Sequence, residues 1–143
     1  MITTALKTSL TTAGCTLVLY EAPALANVMA DQSNPADIIG IVIEPNVINL
    51  VPRGNGVHEE YPPILVEVLK QVKPEDSAEN NEATLNELLT ICKVFIYNII
   101  RSGVYHKVPA VPATKVLESR YDANVIGWSM ALTLKPITNA ENC

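Results

Sequence analysis

Two histidines, three cysteines and six serines are the side chains with which this 143-residue chain could catalyse a reaction or bind a metal. His58 is followed by Glu59 and Glu60. That grouping can titrate near neutral pH or hold a cation weakly, but no second histidine stands at ligand spacing, so a solvated loop is expected. His106 lies between Tyr105 and Lys107, with no carboxylate close in sequence to orient it as a general base, and is expected at a surface or an interface. A pocket lined by Tyr105, His106 and Arg120 is the one constellation that would favour a ligand-binding or enzyme-like domain.

Cys15, Cys92 and Cys143 form no CxxC pair and no second cluster, which argues against zinc. Their odd number, in a chain rich in apolar residues, argues for reduced thiols rather than a disulfide-stapled secreted scaffold. Cys92 falls on an apolar helical stripe and reads as core; Cys143 is the last residue. Ser9, Ser33, Ser77, Ser102, Ser119 and Ser129 include none in a GxSxG elbow. Arg53-Gly54-Asn55-Gly56 looks like a phosphate loop but lacks GxxxxGK[ST] and opens no helix. The expectation is therefore no catalytic, cofactor-binding or metal-ligating residue, no cofactor, and a protein that is not an enzyme.

The elements that would position these residues follow from periodicity. Ile2, Leu6 and Leu10 share a stripe of a short helix that Gly14 can end, and Cys15 to Tyr20 reads as a buried strand. Pro23 to Ala30 suggests one or two helical turns, and Asp31 to Pro35 a loop. Ile38-Ile39-Gly40-Ile41-Val42-Ile43 is a β-branched run suited to a strand covered on both faces. Val47 to Val51 predicts an edge strand, and Pro52 to Gly56 a turn or hairpin tip, inside a long loop from Glu44 to Tyr61.

Ile64 to Val72 alternates, with Ile64, Val66 and Val68 on one face and Glu67 and Gln71 on the other. Pro74 to Asn81 reads as an acidic linker. From Glu82 to Ser102, Leu85, Leu88, Leu89, Cys92, Phe95, Ile96, Ile99 and Ile100 make the broad stripe of a core-facing helix, capped by Asn80 or Asn81 and ended near Arg101 and Gly103. Val116 to Tyr121 and Val125 to Lys135 read as strands joined by Asp122-Ala123-Asn124. The last strand sets bulky Ile126, Trp128, Met130, Leu132 and Leu134 against small Gly127, Ser129, Ala131 and Thr133.

These elements predict an α+β fold: a single domain, mostly antiparallel sheet packed against one long helix, with a short N-terminal helix. It is expected to span 1–137, with 138–143 a flexible C-terminal tail. The length suits one domain. Hydrophobic residues make up 48% and charged ones 17%, which excludes a disordered or highly solvated chain. A net charge of −5 argues against tight nonspecific binding of nucleic acid or an anionic lipid surface. The stretch before Cys15 is rich in Thr and Ser rather than apolar, so no export signal is expected, and no apolar run approaches ~18 residues, so neither is a membrane span.

The element order resembles that of the tail terminator and neck (tail completion) proteins of tailed bacteriophages. The likeness rests on the N-terminal helix feeding a strand, on Ile64 to Val72 leading into the long helix, and on the closing pair with Tyr121-Asp122-Ala123-Asn124-Val125-Ile126-Gly127-Trp128-Ser129-Met130-Ala131-Leu132-Thr133-Leu134. It covers roughly residues 1 to 137 and is one of architecture, since such families carry no short catalytic signature. The resemblance implies a homo-oligomeric ring, commonly a hexamer, at the head-tail junction of the virion, made in the host cytoplasm. Its partners would be other neck, connector and tail-tube proteins, with no membrane, and DNA would pass through without specific binding. The loops Val47 to Tyr61 and Val104 to Thr114 would reach neighbouring subunits. The alternatives are a small-ligand-binding or enzyme-like domain and a secretion-tube adaptor.

Overall fold

Helix α1 (Ile2–Ala13) buries Leu6 and Leu10 and stops at Gly14, whose φ of 124° only glycine adopts readily. The Gly14 amide donates to the Thr11 carbonyl (3.2 Å) and the Cys15 amide to that of Leu10 (3.0 Å). This pair of bonds is a Schellman ending, satisfying two carbonyls that the helix leaves open. It also delivers Cys15 into the core, where a Cβ on Gly40 would lie 3.1 Å from its sulfur. The structure, a computed structural model, describes residues 2–20, 36–43, 49–60, 63–72, 78–103, 105, 110–116, 119–120 and 123–134. The helix expected over Pro23 to Ala30, the loop Asp31 to Pro35, His106, Cys143 and the 138–143 tail lie outside these residues.

Strand β1 (Leu17–Tyr20) pairs in parallel with β2 (Ile38–Ile43). Their entry is fixed by Thr16, whose amide donates to the Ile38 carbonyl while its hydroxyl accepts from the Ile38 amide and donates to Asp37. The remaining contacts are antiparallel: β2 with β5 (Ile64–Gln71), and β5 with β8 (Ala123–Leu132) from Ile64↔Leu132 to Gln71↔Val125. Strands β6 (Ala113–Val116) and β7 (Ser119–Arg120) both pair with β8, giving the order β1-β2-β5-β8-β6. The fold is thus the predicted α+β arrangement, with a mostly antiparallel sheet beneath one long helix. Strands β6 and β7 keep one register against β8, from Ala113↔Met130 to Arg120↔Ala123, so at its described residues the strand expected over Val116 to Tyr121 pairs with β8 as a hairpin.

Helix α2 (Ala78–Arg101) begins four residues before Glu82, so Asn80 and Asn81 lie within it rather than capping it, and the expected linker ends by Ala78. Asparagine serves in caps and in helix interiors, and its identity alone does not separate the two. Leu88, Ile91, Cys92, Phe95 and Ile99 pack with Val42, Val66, Val68, Met130 and Leu132 to form the main core. Full burial of a residue such as Phe95 contributes roughly 1.5–3 kcal/mol. The Trp128 indole N–H donates to the Leu85 carbonyl (2.9 Å), a polar tie from sheet to helix. The opposite sheet face is apolar too, with Leu19, Ile39, Ile41, Leu69, Val116 and Val125 all buried. That makes β2 a strand covered on both faces, as its β-branched run predicts.

One expectation needs amending. Over Asn81–Arg101 this helix is long and apolar enough to cross a membrane by length and composition, with mean hydropathy 1.3. Here a third of that stretch is buried, and its inner stripe closes the core.

Gly127 sits where β8 runs closest to β5. A Cβ there would collide with the Val68 carbonyl oxygen and stand 2.9 Å from the Leu69 Cα, with backbone that cannot swing aside. Gly127→Ala should therefore lower unfolding free energy by about 2–3 kcal/mol in a denaturant titration, and an unchanged midpoint would refute the close approach. Trp128→Phe, which keeps the ring but removes the donor, should cost about 1 kcal/mol in the same titration.

Candidate functional site

The residues singled out for chemistry do not converge. His58 is exposed on β4 (Gly56–Glu60), across from Val51 of β3 (Asn49–Arg53). Glu60 is taken up by Arg53, at 3.2 Å, in an exposed ion pair. Arg53-Gly54-Asn55-Gly56 is the turn of this hairpin. Tyr105 is buried with its hydroxyl unpartnered, and burial raises its pKa. Arg120 lies in β7. Among the described residues no three of His, Cys, Asp and Glu are placed to hold a metal ion.

Cys15 and Cys92 are free and buried. Burial pushes the Cys15 thiol up to about 12; burial, with a smaller effect from the neighbouring Cys15, does the same to Cys92. A thiol so reluctant to ionise is a poor nucleophile, and both act as core residues.

Two surfaces remain. The first is the β3–β4 hairpin, a two-stranded sheet separate from the main one. The expected edge strand thus joins no larger sheet, and the stretch read as a long loop, Glu44 to Tyr61, holds two strands. Pro52 is tolerated because each strand of a two-stranded ribbon has an open side that needs no donor. Alternation places Leu50, Pro52 and Val57 on one face, since Pro52 is opposite Val57, and Glu59, opposite Leu50, shares that face. Leu50 is 65% and Val57 72% exposed. Among the described elements the hairpin has no substantial contact with any other. Such a ribbon is marginally stable alone in water, so its apolar face stands ready for a partner.

The second surface is a groove of about 420 Å³ between α2 and the chain leading into β6. Leu89, Lys93, Ile96 and Ile100 form one wall, Ala110, Val111 and Ala113 the other, and Cys92 and Met130 the floor. Lys93 is the one charged group among its described lining residues. Beside it Arg101 lies over the Tyr97 ring (5.5 Å) and Lys115 over Trp128 (5.9 Å). These cations rest on aromatic faces, and each such contact is worth roughly 0.5–1 kcal/mol when exposed.

The helical stripe was expected to face the core throughout. Instead Ile100 is 57% exposed and Leu89 and Ile96 are half-buried, while Tyr97 and Val94 add apolar surface outside. The signal was present: at ~100° per residue the apolar arc from Ile91 round to Ile100 spans about 180°, wider than one core contact needs. A second departure is Glu67, placed by alternation on a polar face yet 2% exposed. It lies in register between Ile41 and Ser129 on the sheet face away from α2. Nothing in its spacing distinguishes it from a solvated glutamate.

No protein-family model, curated protein or solved structure matches this chain.

Alkylation at pH 8 should leave Cys15 and Cys92 unmodified in the native protein and reach both on unfolding, read by mass spectrometry. Their raised folded pKa values also set a pH dependence. The folded state holds these protons more tightly than the unfolded one, so their stabilisation is intact below about pH 9 and is lost as pH rises toward about 12. Cys15→Ala and Cys92→Ala should each flatten that alkaline decline.

Proposed function

We propose that this chain is a structural virion subunit of a tailed bacteriophage, forming a homo-oligomeric ring at the head-tail junction that closes the tail tube or joins it to the connector. The observation that carries this reading is the β3–β4 hairpin, an arm with Leu50 and Val57 exposed and no substantial contact with another described element. A chain working alone gains nothing from holding Leu50 and Val57 in water; a chain that assembles does. The α+β architecture implied by the resemblance adds support, as does the apolar outer side of α2. In this reading other neck, connector and tail-tube proteins are the partners, and the net charge of −5 lets DNA pass without specific binding.

A second reading, a small-ligand-binding domain, draws on the groove beside α2, whose volume falls within the range of ligand pockets. Against it, Lys93 is the one charged group among the described lining residues, and such pockets fix their ligands with several convergent polar groups.

Native mass spectrometry followed by negative-stain imaging separates the two. A closed ring with a central channel is the expected result. A strict monomer that binds an apolar fluorescent probe stoichiometrically, with the probe displaced by Ile100→Asp, would overturn the ring in favour of the ligand.

A further inference from the structure

The two unpartnered surfaces lie on one chain, do not meet within it, and match in chemistry. The hairpin offers a narrow face of Leu50, Pro52 and Val57 with Glu59 at its edge opposite Leu50, and the groove a largely apolar trough of about 420 Å³ with Lys93 in its wall. Their charges are opposed. Between Glu87 and Glu118 the sequence holds four basic residues, Lys93, Arg101, Lys107 and Lys115, and no acid. Apart from Met130, the described residues of the groove come from this stretch of +4, and a chain of −5 overall carries −9 elsewhere. The hairpin belongs to that acidic remainder: residues 49–60 hold Glu59 and Glu60 against Arg53 alone.

Resting on the ring reading, we propose that the β3–β4 hairpin of one copy seats its apolar face in the groove between α2 and β6 of the next copy, head to tail. The contact is heterologous: each chain uses its arm on one neighbour and its groove on the other, the geometry that yields a ring when the rotation closes. The surface argument also favours closure over pairing. A stable two-body interface needs about 800 Å² per partner, and a five-residue ribbon about 17 Å long by ~10 Å wide covers only a fraction of that. An open head-to-tail dimer holds one such contact, whereas a closed ring holds one more than a linear chain of the same length, so assembly should pass from monomer to closed ring with little open dimer between.

The test uses the full chain and two substitutions at exposed positions, Val57→Asp on the arm and Ile100→Asp on the groove, with circular dichroism confirming that both fold. Each variant alone should lose the ring in native mass spectrometry. Mixed in equal amounts they should give a heterodimer and nothing larger, because the intact arm of Ile100→Asp can enter only the intact groove of Val57→Asp. An independent readout is a Val57→Cys, Ile100→Cys chain with Cys143→Ser, which should form an intermolecular disulfide ladder on mild oxidation.

Rings that survive both substitutions would overturn the arm-in-groove contact while leaving the ring reading intact. So would loss of the ring with Val57→Asp but not Ile100→Asp, which assigns an arm-to-arm contact. Rings that survive Val57→Asp while Lys93→Glu abolishes binding of a short DNA duplex would give the groove to nucleic acid instead. A wild type that stays monomeric overturns the ring reading; with no disulfide ladder it overturns this inference as well, whereas a ladder from such a monomer keeps the contact as a weak encounter.

Discussion

Everything in this molecule leans on the pairing of β5 with β8. These strands stand more than 50 residues apart in sequence, yet they run in register over eight pairs and form the middle of the sheet. Closing so long a loop costs entropy that only subsequent burial returns. The return is large because α2 lies within that loop: once β5 and β8 are side by side, the helix must fold back over them. Its inner stripe then meets Val66 and Val68 from one strand and Met130 and Leu132 from the other. β2 adds to the free side of β5, β6 and β7 to the free side of β8, and α1 packs where β1 and β2 begin. Gly127 is the local condition for this arrangement, since at that position the two backbones leave no room for a side chain.

Much of this was legible before any coordinates. The alternation in Ile64 to Gln71, the β-branched run of β2, the inner stripe of α2 and the bulky-against-small pattern of β8 are each statements about which residues share a face. Periodicity is good at such statements. What it does not specify is whether the second face is covered. Glu67 alternates like a solvated residue and is buried, while Ile100 continues an apolar stripe and is exposed. The same blindness separates the hairpin from the sheet. Its turn was readable from Gly54 and Asn55, but nothing local says whether Val51 and its neighbours add to a larger sheet or stand clear of it.

The candidate site was less legible than the fold, for a related reason. Catalytic sites announce themselves by residue type and spacing, and among the described residues the His, Cys, Asp and Glu form no metal-holding group. A docking surface is made of ordinary apolar residues in the wrong place. Leu50, Val57 and Ile100 differ from core residues only in having no neighbours, which is a property of the fold rather than of the sequence. The width of the apolar arc on α2 and the long acid-free stretch around the groove are the only traces of it in the sequence.

The margins of the main sheet bear on how such a chain stays soluble. A sheet edge is a template on which another chain's backbone can add, and an association-prone protein with long open edges drifts toward fibres. Here both edges are blunt. On one side β1 has four residues; on the other, β6 has four and carries Lys115, and β7 has two. Main-chain addition is thereby given little length to grip and a charge to bury. In the proposed assembly, recognition between copies would rest on side chains, which discriminate among partners, rather than on hydrogen-bonded backbone, which accepts almost any.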